Sequence, residues 1–408
     1  MTKYFTLLFI FITYTSYCQT NYKESKIINL TGDTIKGYID YKNWNNNPEQ
    51  IRFKATPSSP YEILQPKDIF SFEVEKEKYL SADVDVSYSP SDINRINNNS
   101  PKPETRTKTV FLKVLINGEK SLYSFKSSSS EDNFYIKNND KFELLIYKKY
   151  VEAESFQILE NQKYRKQIYA YLEHPLSLQA AIEKAQYSPS GLQYIFELYY
   201  KQKEKNTAYK SSKDTTKLTF GPTIGGMRRS YNIKDVSYFV PKITPTFGVF
   251  LNIAIPRNFY KLNFYNDLLF AYTKYKDEKD LYESGFRTAT LIDSYNFKVS
   301  SLKLSNSLRY MFHQQEDFGV FIQAGITNSF IVSINNEKTR YTNRYGTITE
   351  EKLPAIPNLR NYEQGYIFGI GAKKAHYALD FRFEKTNGIS STYKSNFNSF
   401  YILACYSF

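Results

Sequence analysis

Phe-Tyr-Ile-Leu-Ala-Cys-Tyr-Ser-Phe, residues 400–408, closes the chain. Phe400, Ile402, Ala404, Tyr406 and Phe408 fall on alternate positions, and on a strand alternate side chains share one face. The same period of two recurs back to Leu218. Tyr377, Leu379, Phe381 and Phe383 alternate with Ala378, Asp380, Arg382 and Glu384. Tyr366, Phe368, Ile370 and Ala372 alternate with Gly365, Gly369, Gly371 and Lys373. Further segments begin near Leu218, Phe247, Leu262, Leu302 and Phe318. Each pairs an apolar face with a small, polar or charged one. The total is eight, an even number, and each segment reaches the roughly 9–11 residues that a tilted membrane-spanning strand needs.

A soluble sandwich alternates too, so the connections carry more weight. Arg229–Lys242, Lys274–Asp293, Ser333–Tyr362 and Thr386–Ser395 are long. Pro256-Arg257-Asn258, His313–Asp317 and Lys374-Ala375 are short. Long loops at one end and tight turns at the other characterise transmembrane barrels. The fold class expected is mainly β: an eight-stranded antiparallel up-and-down transmembrane β-barrel over 218–408, preceded by a small β-rich domain and a short helical segment. With an even strand count both barrel termini lie at the short-turn end, which places residues 19–217 in the periplasm.

Composition agrees. The chain has 408 residues, 41% hydrophobic and 23% charged, enough apolar content for a core and too much for wholesale disorder. Mean hydropathy is −0.53, and no later stretch is long and apolar enough for a membrane helix. The 38 Tyr and 31 Phe suit interfacial girdles, where a ring is buried while a hydroxyl stays wet. Two Cys and three His leave little room for a zinc site or a His-centred active site, so no cofactor or metal is expected. The net charge of +13 is read first as a solvated surface and second as affinity for anionic headgroups. Nucleic acid is disfavoured, because the chain is exported and its lysines are dispersed.

Export follows from residues 1–18. Lys3 supplies the positive start, Phe5–Ile12 the apolar stretch, and Ser16-Tyr17-Cys18 a cleavage site that makes Gln19 the first mature residue. The rival reading is lipidation of Cys18, which the bulky Tyr17 before it disfavours. Cleavage leaves Cys405 alone, so no intramolecular disulfide stabilises the fold.

Between signal and barrel, residues 19–150 read as short strands. Thr31-Gly32-Asp33 and Asn117-Gly118 mark hairpins. Residues 151–204 turn to helical spacing: Ile168, Tyr171 and Leu172, then Leu178 and Ile182, then Leu192, Ile195 and Phe196. His174-Pro175 interrupts the pattern, and Ser188-Pro189 is an N-cap followed by a first-turn proline. Residues 205–217 are a polar linker.

Lys261, Asp267, Lys303, Arg309, Asp380, Arg382 and Glu384 fall on the lumenal parity and carry both signs, so they are expected to pair inside. Asp380 and Glu384 flank Arg382 on one face, which favours a salt-bridge ladder over a catalytic carboxylate pair. Cys405 is expected to face the lumen as a small structural residue. His174, His313 and His376 lack a nucleophile at a recognisable spacing. Arg228, Arg229, Lys274 and Lys276 lie at the long-loop end, where they would meet lipopolysaccharide phosphates; a solvated rim is the competing reading.

The terminal Phe408 resembles that of gram-negative outer-membrane barrels, whose last strand is read by the barrel-assembly machinery. That resemblance implies that Phe400, Ile402, Tyr406 and Phe408 form the assembly signal. More narrowly, residues 216–408 resemble the PorT-like outer-membrane β-barrel family in strand pattern, loop asymmetry and Phe408. Thr34–Tyr41 followed by Trp44 resembles domains fused ahead of such barrels. The leading reading is an integral outer-membrane protein with a non-enzymatic role in envelope organisation, as a secretion accessory or in surface interaction. Its partners would be outer-membrane lipids, lipopolysaccharide and a periplasmic or surface protein. Two alternatives are a membrane-embedded hydrolase or acyltransferase on a small barrel, and a soluble exported ligand-binding barrel.

Overall fold

The computed structural model describes residues 20–408 except 91–95, 97–99, 129–130, 153, 234–236, 240–241, 284–288, 316–317 and 357. The cleavage site at Cys18 and Gln19 lies outside the described residues. The chain divides into two compact units, Met1–Asp214 and Thr215–Phe408, and the division falls inside the polar segment 205–217.

In the first unit an antiparallel sheet is built mostly from chain neighbours. Its strands are β1 (Tyr22–Asn29), β2 (Thr34–Asp40), β3 (Ile51–Lys54), β4 (Glu62–Leu64), β5 (Ile69–Val74), β6 (Glu77–Ser87), β7 (Thr105–Asn117), β8 (Leu122–Phe125), β9 (Asn133–Asn138) and β10 (Lys141–Leu144). They follow the order β10-β9-β8-β7-β6-β5-β1-β2-β3-β4. The β1–β2 hairpin turns at Gly32, whose φ of +93° is open to glycine without a Cβ penalty. At Asn117-Gly118 the tight two-residue turn does not form. The next strand starts only at Leu122, and the connection is tied by the Lys120 amide donating to Tyr200 Oη and by the Tyr200 hydroxyl donating to Lys120 O.

Residues 151–204 are not a separate helical segment. A hairpin of β11 (Lys148–Val151) and β12 (Ile158–Asn161) straddles their start. Then come α1 (Tyr164–Tyr171), α2 (Gln179–Lys184) and α3 (Pro189–Gln202). The Ser188 hydroxyl accepts from the Gly191 amide and caps α3. Ile168, Ile182, Leu192, Ile195 and Phe196 share one core with Leu115, Ile116, Leu122, Phe134 and Ile136 of the sheet. Helices this short are marginal alone; burial of their apolar faces against the sheet holds them in place. A last short strand, β13 (Tyr209–Lys210), pairs with β7.

The second unit contains β14 (Lys217–Ile233), β15 (Ser237–Phe239), β16 (Thr244–Ala254), β17 (Leu262–Glu283), β18 (Ala289–Gln315), β19 (Phe318–Arg344), β20 (Thr347–Leu353), β21 (Tyr362–Lys374), β22 (Tyr377–Thr386) and β23 (Ser395–Tyr406). Eight of them, β14-β16-β17-β18-β19-β21-β22-β23, pair antiparallel in that order, and β14 pairs with β23 to close a ring. The closing is staggered: β14 pairs β16 from Lys217 and β23 only from Thr223. Such a stagger tilts strands relative to a ring's axis.

Three of the four connections expected as long loops are largely strand. β17 and β18 stay paired to Glu283 and Thr290, and β19 runs to Arg344 before β20 folds back on it. Arg229 to Ile233 continues β14, with β15 returning along it. Their Thr, Tyr and Ile content favours strand, and cross-strand charges support it: Asp293 accepts from Arg340 Nε at 2.8 Å and meets Lys338 Nζ at 3.0 Å. Inside this end an apolar cluster includes Tyr231, Tyr275, Phe297, Ile356, Ile389 and Phe397.

Candidate functional site

Polarity in the ring is inverted relative to a soluble protein. Large apolar side chains face outward: Leu218, Phe220 and Ile224 of β14, Phe247, Val249 and Leu251 of β16, Leu302, Leu304 and Leu308 of β18. Ile322 and Ile326 of β19, Phe368 and Ile370 of β21, Leu379 and Phe381 of β22, and Phe400 and Ile402 of β23 continue the band. Aromatic contacts lie toward both margins, with Tyr377, Tyr406, Phe408 and Phe220 at one and Phe330 with Tyr362 at the other. Charges face inward. Asp267, Glu363, Asp380 and Glu384 are buried with Arg229, Lys303, Arg309 and Arg382, so acids and bases balance one to one.

They form two networks. In the first, Arg382 donates from Nε and Nη2 to Asp380 Oδ2 at 3.0 and 2.8 Å, and from Nη1 to Asp267. Arg309 donates to the same Asp380 oxygen at 3.0 Å. Gln323 accepts from Arg309 and donates to Asp380 at 3.0 Å. The Arg309 guanidinium lies 3.6 Å from the Tyr265 ring centre and 3.8 Å from that of Phe321. Gly371 faces the same Phe321 ring, which leaves no room for a Cβ there. In the second network, Arg229 pairs with Glu363 and Lys303 with Glu384. The Thr386 hydroxyl donates to Glu363 at 2.7 Å and the Tyr401 hydroxyl to Glu384 at 2.9 Å. Arg229 lies 3.6 Å over the Phe397 ring.

Arg229 therefore does not sit at the rim among lipopolysaccharide contacts. It shares the inward parity of Thr223, Met227 and Tyr231 and is 0% exposed. The outward series Phe220, Ile224 and Arg228 leaves its neighbour Arg228 exposed, and Lys274 and Lys276 are exposed too. Lys261 is half-buried and takes no part in either network. Glu363, Thr386, Tyr401 and Gln323 are, with Arg229, the network members beyond those named from sequence as lumenal. Glu363 could have been found from its parity with Gly365, Gly369 and Gly371.

Phe400, Ile402, Tyr406 and Phe408 all point outward, and the Phe408 amide donates to Phe220 O at 2.9 Å. Cys405 points inward, accepts from the Thr223 hydroxyl at 3.4 Å and lies 3.6 Å from Tyr265 Oη. His376 is tied through Nδ1 to Ser407 O at 2.8 Å, and His174 packs edge-on to Tyr169. The side chain of His313 lies outside the described residues. Among the described residues no three His, Cys, Asp or Glu side chains gather as metal ligands.

In the first unit a recess is lined by Ser87, Ser89, Tyr147, Lys148 and Tyr187. Burial lowers the Lys148 pKa and, with the Glu160 charge, pushes Tyr147 up to about 12. Lys148 donates to Lys102 O at 3.0 Å, so its ammonium is held structurally rather than aimed at a substrate.

No family model and no curated protein matches the chain. Among solved structures, Ail, the attachment invasion locus protein of Yersinia pestis, is 12% identical, with 47% of this chain covering 98% of that one at a TM-score of 0.22. Neisserial surface protein A is 12% identical, with 48% covering 100% and a TM-score of 0.24. The N-terminal β-barrel domain of Pseudomonas aeruginosa OprF is 11% identical, with 48% covering 100% and a TM-score of 0.21.

Proposed function

We propose that Thr215–Phe408 is a transmembrane β-barrel of a gram-negative outer membrane, with the first unit in the periplasm, and that the protein's role is non-enzymatic. The inverted polarity carries this reading. A closed ring pairs every backbone group that hydrocarbon would leave unsatisfied. From Phe318 to Phe330 the outward band of β19, at ~3.3 Å per residue and a tilt of about 40°, is roughly 30 Å tall, the thickness of a bilayer core. The alternative of a soluble ligand-binding barrel needs the opposite arrangement. The hydrolase alternative needs a base beside a nucleophile, and the inward charges are instead paired with one another. Side chains fill the ring at both networks, which argues against an open pore.

Both ends of the ring lie at its short-turn side, which supports a periplasmic first unit. The other side carries the extended β17–β18 and β19–β20 hairpins, and the tip of the second presents Tyr345 at 87% and Ile348 at 67% exposure. Among the non-enzymatic roles, these tips favour surface interaction with another protein. The exposure of Arg228, Lys274 and Lys276 supports contact with lipopolysaccharide phosphates, and the outward Phe408 supports recognition by the barrel-assembly machinery.

The test is fractionation of cells expressing the chain with an untagged C-terminus, followed by electrophoresis with and without heating. Sedimentation with outer membranes and a mobility change on heating are expected. A soluble periplasmic protein without a heat shift overturns the reading. Charge reversal at Arg228, Lys274 and Lys276 together is expected to raise sensitivity to large antibiotics; unchanged sensitivity and unchanged detergent extraction remove the lipopolysaccharide contact.

A further inference from the structure

Two asparagines stand side by side within the outward band. Asn266 of β17 and Asn306 of β18 are cross-strand partners. On their own strands they stand between Phe264 and Leu268 and between Leu304 and Leu308, all exposed apolar side chains. Both asparagines are half-buried, and no hydrogen bond to either side chain occurs among the described residues. A third outward asparagine, Asn328, differs: its Oδ1 accepts from the Tyr362 hydroxyl at 2.6 Å.

An amide facing hydrocarbon loses its water and costs free energy until a protein group replaces it. A bond between Asn266 and Asn306 does not solve this. Each carboxamide carries two N–H donors and a carbonyl with two lone pairs, so one mutual bond leaves groups of both unpaired. Midway along the band a lipid headgroup does not reach them. What fits is a second surface bringing donors and acceptors at the same depth. A carboxamide pair is self-complementary, since the donors of one copy match the acceptors of the other. A twofold axis in the membrane, normal to its plane, brings the same patch of two copies together at equal depth. Polar side chains of this kind associate membrane segments by hydrogen bonding rather than by hydrophobic burial.

We infer that the β17–β18 face is the contact of a homodimer in the membrane, with Asn266 and Asn306 of one copy hydrogen-bonded to those of the other. The inference rests on the membrane reading above. The full mature chain, labelled at its N-terminus and folded into phosphatidylcholine vesicles, tests it by counting photobleaching steps as the protein-to-lipid ratio is lowered. The heat shift is read on the same sample. The variant is Asn266→Leu with Asn306→Leu, which preserves size and adds apolar surface, so insertion is retained. The control is Phe381→Leu on β22, across the ring.

Two-step bleaching is expected for the wild type and the control. In the double variant dimerisation should weaken by about tenfold or more, the scale of one or two such bonds lost in a membrane. A heat-shifted wild type that bleaches in single steps at every ratio overturns the dimer alone. So does a double variant that dimerises as well as the wild type. Absence of the heat shift in the wild type overturns the membrane reading and the dimer with it.

Discussion

Glu363→Ala is expected to destabilise the ring by about 3–5 kcal/mol, the cost of leaving a buried charge without its counter-ion. Glu363 and Arg229 are both 0% exposed, and two nitrogens of the Arg229 guanidinium already lack a hydrogen-bond partner. Removing the carboxylate leaves that guanidinium against the Phe397 ring with no direct counter-ion among the described residues and with Lys303 as a like charge nearby. Arg229→Met combined with Glu363→Leu removes both charges at similar volume and should recover much of the loss, because a buried pair often breaks even against a well-packed apolar one. A denaturant titration of the chain refolded in vesicles reads both. A Glu363→Ala midpoint equal to the wild type, or a double variant weaker than either single one, contradicts the account.

The second large effect separates lipid from water at the outer face. Ile370 and Ile348 are both exposed isoleucines, at 55% and 67%. Ile370 lies within the band on β21, and Ile348 at the tip of the β19–β20 hairpin. In water either change to arginine is near neutral, within about 0.5 kcal/mol. In a bilayer Ile370→Arg should cost about 2–4 kcal/mol, the range for arginine on the lipid face of a barrel near the midplane. Ile348→Arg should remain near neutral. The same vesicle titration measures both, and equal effects at the two positions rule out a lipid boundary between them.

These expectations rest on positions that were legible to different degrees. The outward placement of Phe400, Ile402, Tyr406 and Phe408 follows from a period of two, and so does the inward placement of Asp267, Lys303 and Arg382. Arg229 shows how that signal is lost. Its parity points inward, but its position after the last apolar residue of its segment suggests a rim. β14 continues to Ile233, so parity and not proximity to a loop settles where Arg229 goes. The extended hairpins were obscured for a related reason. Polar alternation in Lys274–Asp293 reads as loop, yet cross-strand pairing holds 274–283 and 290–293 as strand.

By itself the sequence determined which side of each strand a residue occupies, the even number of strands in the ring and the Ser188 cap of α3. These are local properties: strand parity comes from backbone geometry, and the cap involves residues three apart. The tertiary structure decided the partners. Arg229 meets Glu363 and Arg382 meets Asp267 across 134 and 115 residues, and the helices lie on β7–β9 instead of standing apart. Partner choice across such separations depends on how the ring closes and on its stagger. Neither is encoded in any single strand, since every strand satisfies the same alternation whichever neighbour it finds.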